Sequence, residues 1–216
     1  MKIRATSFDK MSVFIKMICM KKILWLGLAL PIAIIACNNT GKDSVAKADS
    51  ANEAKSDSMN HYNDTVSGNG ALGVNESTSK FLVDVADVNM TEIQLGRIAQ
   101  DKASSQRVKD FAAMMVRDHS KASDDLKTLA SQKNVSLPAN ISEDHQKKMD
   151  DLNKKSGRDF DKAYMDMMED GHEATVKDFE KNTDNSDADV RAFVNKMLPT
   201  LRMHRDSADV IKKALK

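Results

Sequence analysis

From Phe81 onward, apolar residues return every three or four positions, the period of one face of a helix. Phe81, Val85, Val88, Glu92, Leu95 and Ala99 make a first stripe, and Val108, Ala112, Met115, His119, Ala122, Leu126 and Leu129 a second. The Leu137-Pro138 step breaks the pattern. Ser142 followed by Glu143 and Asp144 then has the chemistry of a helix start, which predicts a short helix to about Lys154, ending near Gly157. Phe160, Tyr164, Met168, His172, Thr175, Val176 and Phe179 form a third long stripe. After a turn at 182–186, Val190, Val194, Met197, Leu201, His204, Ala208, Ile211 and Leu215 form the fourth. Pro199 lies inside this last stripe and should kink its helix, because proline removes a backbone donor and crowds the preceding turn. No segment alternates with the period of a strand. The pattern predicts an all-α fold: an up-down bundle of four main helices plus one short helix over residues 79–216, enough chain for a buried core.

The two halves of this region look alike. Val108-Lys109-Asp110-Phe111 matches Val190-Arg191-Ala192-Phe193, and each is followed by a stripe histidine: His119 seven residues before Leu126, His204 seven before Ile211. The match points to a duplicated helical hairpin, the plan of ferritin-like bundles.

Upstream the texture changes. Residues 38–78 are almost all small or polar, and Val45, Val66, Leu72 and Val74 are too sparse to build a core. The expectation is a disordered tether with solvated His61 and Tyr62, spanning roughly 35 Å as a flexible coil of about 40 residues. Before it, Met20-Lys21-Lys22 opens a charged segment that leads into the 14-residue apolar run from Ile23 to Ala36. Such a run suits a signal peptide and falls short of the ~20 residues needed to cross a bilayer. Residues 1–36 are therefore expected to be an export signal, with Met20 as the expected start. Ile34-Ile35-Ala36-Cys37 resembles a bacterial lipobox, making Cys37 the expected lipidation site and residues 37–78 its tether. Asn38 stands where an inner-membrane retention signal would place an acidic residue. By resemblance to lipoproteins of diderm bacteria, the destination is the outer membrane, facing the periplasm or the surface, with the acyl chains as membrane partner.

Charge refines this picture. The chain has Lys+Arg 33 against Asp+Glu 32, but six of the basic residues precede Cys37 with a single acid, so the remainder carries about −4. With aromatics at 5%, neither a basic footprint nor a stacking surface for nucleic acid is present. Cys19 falls in the segment to be removed, leaving Cys37 alone and excluding thiol catalysis, disulfides and cysteine-based zinc sites from the domain.

Each long stripe contains one residue that a plain apolar core would not choose: Glu92, His119, His172 and His204. Buried, each needs a hydrogen bond, an opposite charge or a metal. Measured along antiparallel helices at ~1.5 Å per residue, His119 and His172 fall at one level, with Glu92 and His204 within one or two turns. One reading is a metal site of imidazole and carboxylate ligands, suited to Fe, Mn, Zn or Cu. The other is a buried network with Asp118, Asp170, Arg117 or Arg202 as partners. Di-iron bundles use two Glu-x-x-His motifs, and here only Glu169 precedes His172 by three; Val116 and Leu201 stand before the other two histidines, which argues against a di-metal oxidase. Met115 with His119 and Met168 with His172 are i,i+4 pairs, a soft donor set that would favour copper. No phosphate loop, nucleophile elbow or His-Glu-x-x-His is present.

The stretches Thr91-Glu92-Ile93-Gln94-Leu95-Gly96, Val108 to Ala112 and Met115-Val116-Arg117-Asp118-His119 resemble a bacterial outer-membrane-protein family, also called the domain of unknown function 4142 family. Leu137-Pro138, Gly157 with Phe160-Asp161 and Tyr164, His172-Glu173, and Leu198-Pro199-Thr200-Leu201 with His204 extend the resemblance from about Lys80 to Lys212. It implies a ferritin-like bundle in an exported protein and brings no reaction with it. Its pattern makes Glu92, His119, His172, Glu173 and His204 the candidate metal ligands, with Asp118 beside them; Met115 and Met168 join these as neighbours by their i,i+4 spacing. The functional expectation is a binding or envelope-maintenance module, possessing no assigned catalytic residue. A metal-dependent Fe/Mn redox enzyme and a Met/His copper protein are the alternatives.

Overall fold

The computed structural model describes residues 43–65 and 75–215. The signal segment, Cys37, and the tether residues 66–74 lie outside the described residues, as do the side chains of His61 and Tyr62. Six helices are described: α1 (Ser44–Thr65), α2 (Glu76–Lys102), α3 (Gln106–Gln132), α4 (Glu143–Asn153), α5 (Gly157–Glu180) and α6 (Ala188–Ala214). The architecture is an all-α helical bundle, and no helix among the described residues is long and apolar enough to cross a membrane. Local chemistry sets the helix starts. Asn75 caps α2 by accepting from the Thr78 amide, and Ser142 caps α4 by accepting from the His145 amide. Asp187 caps α6 by accepting from the amides of Asp189 and Val190. The α6 helix continues through Pro199.

Helices α2 and α3 form one hairpin, α5 and α6 a second, and the hairpins pack through α3 against α6 and α2 against α5. Asp161 near the start of α5 accepts from the Ser104 and Ser105 amides at the start of α3, at 2.9 and 2.8 Å. Phe111 and Tyr164, one early in each helix, meet edge to face. Thus α3 and α5 run in the same direction, not in opposite directions as the level estimate from sequence assumed. His119 and His172 still share a level because each sits near the middle of its helix. A parallel pair requires the connection between them to travel the bundle's length, and α4 lies within it. Asp87 of α2 pins that connection: its carboxylate accepts from the Ser142 amide and from His145 Nδ1, both at 2.8 Å. One long crossover between two hairpins is compatible with the ferritin-like plan.

The structure corrects the expectation of a disordered tether over 44–65. That segment is helix α1, which packs on α2. Ala48 and Asn52 are buried; Asn52 donates to the Ser136 carbonyl and accepts from the Ser136 amide, and Lys55 reaches the Asn134 carbonyl. Hydrogen bonding to the 134–140 loop, together with the apolar contact of Ala48 and Val45 with the core, holds this helix in place. The bundle also begins before residue 79, at Glu76.

The apolar core falls into two clusters. One gathers Phe81, Leu82, Val85, Leu126, Leu129, Val176, Phe179, Val190, Phe193 and Leu201. The other gathers Leu95, Ala99, Val108, Phe111, Met115, Phe160, Tyr164, Met165, Ala208 and Ile211. On every one of the four long helices, the polar stripe residue stands between the part belonging to one cluster and the part belonging to the other.

Candidate metal centre

His119 of α3, His172 of α5 and His204 of α6 are buried, at 1%, 0% and 0% exposure. Their ring centroids form a nearly equilateral triangle, 5.5 Å from His119 to His172, 5.2 Å from His119 to His204 and 5.3 Å from His172 to His204. One ring nitrogen from each lies within 4.8 Å of those of the other two.

One nitrogen of each ring is engaged. His119 Nδ1 lies 2.8 Å from Asn89 Oδ1 and 3.0 Å from Glu92 Oε2, two oxygens that place the proton on that nitrogen. His172 Nδ1 donates to the Met168 carbonyl at 2.8 Å, with Glu92 Oε1 at 3.4 Å. His204 Nε2 donates to Asp118 Oδ2 at 3.1 Å, and Asp118 is itself held by Arg117 Nε at 2.8 Å. The remaining nitrogens, His119 Nε2, His172 Nε2 and His204 Nδ1, are buried without a hydrogen-bond partner. With the protons fixed on the far side, each presents a lone pair. A buried acceptor left unpaired costs about 1–3 kcal/mol, and here three are gathered in one layer.

Electrostatics keeps the layer in ligand form. Burial, and then the neighbouring His119, pushes His204 down to about 4, against the pull of Asp118. Burial likewise lowers His172, outweighing Glu92. For Glu92, burial alone would raise the pKa, but the adjoining histidines, His119 foremost, hold it at about 2. Burial would also raise Asp118, and Arg117 and His204 bring it below the usual carboxylate range. Near neutral pH the layer therefore combines neutral His172 and His204 with an ionised Glu92.

Three imidazoles, each oriented by a second hydrogen bond, form the arrangement by which proteins hold zinc and related metals. A metal at about 2.1 Å from each nitrogen would hold them roughly 3.4 Å apart, so nitrogens lying within 4.8 Å of one another need to close by up to about 1.4 Å. Glu92, expected as a ligand, faces the Nδ1 side of His119 and His172; it orients those rings rather than completing the triangle. Asp118 does the same for His204. Met168 orients His172 through its carbonyl, while Met115 is buried in the adjoining apolar cluster.

Glu173 is a correction. Its side chain is 53% exposed and pairs with Lys177 at 2.7 Å. One residue further along a helix is turned by about 100°, which carries the neighbour of a core histidine to the solvent side. Glu169 is tied to Lys212 at 2.7 Å, and Arg202 to Glu180. The sequence reading missed Asn89, which fixes the His119 tautomer. It stands three residues before Glu92, one turn away on the same face, and that spacing was the available signal.

The α2–α3 contact that brings Asn89 and Glu92 to His119 depends on Gly96. A Cβ there would lie 2.7 Å from Val116 Cγ2 and 3.1 Å from the Ala112 carbonyl oxygen.

The sequence model of the family described as "Domain of unknown function (DUF4142)" matches residues 64–211, and the chain belongs to that family. No curated protein and no solved structure matches.

Proposed function

We propose that this member of the DUF4142 family is a metal-binding module of the cell envelope, exported and held at the outer membrane through a lipid on Cys37. The observation that carries the metal reading is the triangle of buried imidazoles, each with one nitrogen fixed and the other unpartnered. Neutral imidazole suits Zn, Fe and Cu, and a three-histidine set leaves a coordination position for a further ligand. Binding is favoured over di-metal redox chemistry. Glu169 is committed to Lys212, and the positions three before His119 and His204 are Val116 and Leu201.

The test is elemental analysis of the full chain, produced by export without chelator or affinity tag. About one metal per chain is expected, abolished by replacing His119, His172 or His204 with Ala and retained in Leu126→Ala. Absence of metal, together with no thermal shift on adding Zn, Fe, Mn or Cu, would overturn the reading. The anchor is tested separately by Cys37→Ala, which should move the protein from the membrane fraction to the soluble fraction. Continued membrane association would refute the lipid.

A further inference from the structure

We propose that the cleft beside the histidine layer is a binding pocket for a small neutral alcohol or phenol with an apolar body. The cavity holds about 300 Å³ and reaches from the surface between α2 and α5 to Asn89, Glu92 and His119 at its floor. That volume lies at the lower end of the range for small-molecule sites. Phe81, Phe179, Phe193 and Met197 line it with apolar surface, which suits an apolar body.

The floor sets the head group. Asn89, 5% exposed, spends its Oδ1 on His119, and its Nδ2 is buried with no acceptor. Beside it stands the Glu92 carboxylate, whose oxygens can accept a hydrogen bond. A hydroxyl group both donates and accepts, so one such group serves Glu92 and Asn89 together. An anionic head would meet the Glu92 charge in a buried setting, and a purely apolar ligand would leave the amide unpaired. The mouth adds no net attraction for an ion, because its charges are already matched: Lys80 to Asp84 at 3.0 Å and Lys181 to Asp178 at 2.8 Å. The pocket does not require the metal.

The test titrates the full chain, metal-free and zinc-loaded, with 4-ethylphenol and with 4-ethylanisole, whose ether accepts but cannot donate, followed by ligand NMR. The phenol should bind at least about tenfold more tightly, the loss expected for one hydrogen bond to a charged group. Val88→Phe and Met197→Trp fill the cleft from different helices, and each should weaken phenol binding by about tenfold or more while retaining the metal content of the parent. Equal affinity for the two probes, no binding in either metal state, or undiminished phenol binding in the filled variants would overturn the proposal. Phenol binding that persists in a chain found to take no metal would sink the metal reading alone, whereas unchanged metal content without phenol binding would sink only this one.

Discussion

The bundle contains two kinds of core within one set of helices. At either end, Leu82, Leu126, Val176 and Val190, or Val108, Met115, Phe160 and Met165, pack apolar side chains against each other, with the Tyr164 hydroxyl of the second cluster also buried without a partner. In the middle, the same helices contribute Asn89, Glu92, His119, His172 and His204, and three ring nitrogens are left without a partner. The end layers stabilise by area removed from water. The middle layer spends part of that gain on desolvating polar groups, and its presence on all four long helices fits the proposed metal site better than a contribution to stability. The ends make the fold, and the middle makes the site.

The contrast can be broken most forcefully from the apolar side. Leu126→Ala, at a position 1% exposed, should cost about 2–5 kcal/mol in urea unfolding while leaving metal content unchanged. A proportionate loss of metal would show that the layers are not separable.

Acid should act on the middle layer instead. His204 and His172 have folded pKa values below the ordinary 6.5, so their contribution is full above pH 6.5 and is lost as pH falls, for His204 toward about 4. For His204 the loss is on the order of 3 kcal/mol. Glu92 acts lower, its contribution persisting to about pH 4.5 and vanishing only toward pH 2. Metal-free protein should therefore lose stability between pH 6.5 and 4, and a His172→Leu, His204→Leu double variant should lose markedly less. An identical slope in the two would place the acid sensitivity elsewhere.

Gly96→Ala tests the joint between the two kinds of core. The added methyl must push Val116 and with it α3, at about 1–3 kcal/mol, and should weaken metal binding by shifting His119 against Asn89 and Glu92. Destabilisation with unchanged affinity would show that the His119 position does not depend on this contact. The smallest effect belongs to Glu173→Gln, which should change neither unfolding nor metal content, since the side chain pairs with Lys177 in solvent. A loss of metal in this variant would return Glu173 to the site.

Much of this division was legible in the sequence. The 3-4 spacing marked the long helices, and each stripe displayed its one polar residue, because an amphipathic helix writes its buried face directly into the order of residues. What a helical stripe does not encode is the direction of helices far apart in sequence, so it leaves open that α3 and α5 run parallel. Glu173 entered through the family resemblance, although the 100° turn per residue already places it off the stripe of His172. Helix α1 was missed for a different reason. Its docking rests in part on Asn52, Lys55 and Ser44 bonding to the 134–140 loop, and polar residues that bind a distant loop look in sequence like a solvated linker. The function of Glu92 was likewise hidden, since a carboxylate that ligates a metal and one that orients its histidines occupy the same stripe position.

The most direct test of the central claim is X-ray absorption spectroscopy of the zinc-loaded full chain. The account predicts three imidazole nitrogens at about 2.0–2.1 Å, with the outer-shell scattering of histidine rings, and a reduction in that signal when any of His119, His172 or His204 is replaced. A first shell of oxygen without imidazole scattering, or a chain that retains no zinc, would contradict it.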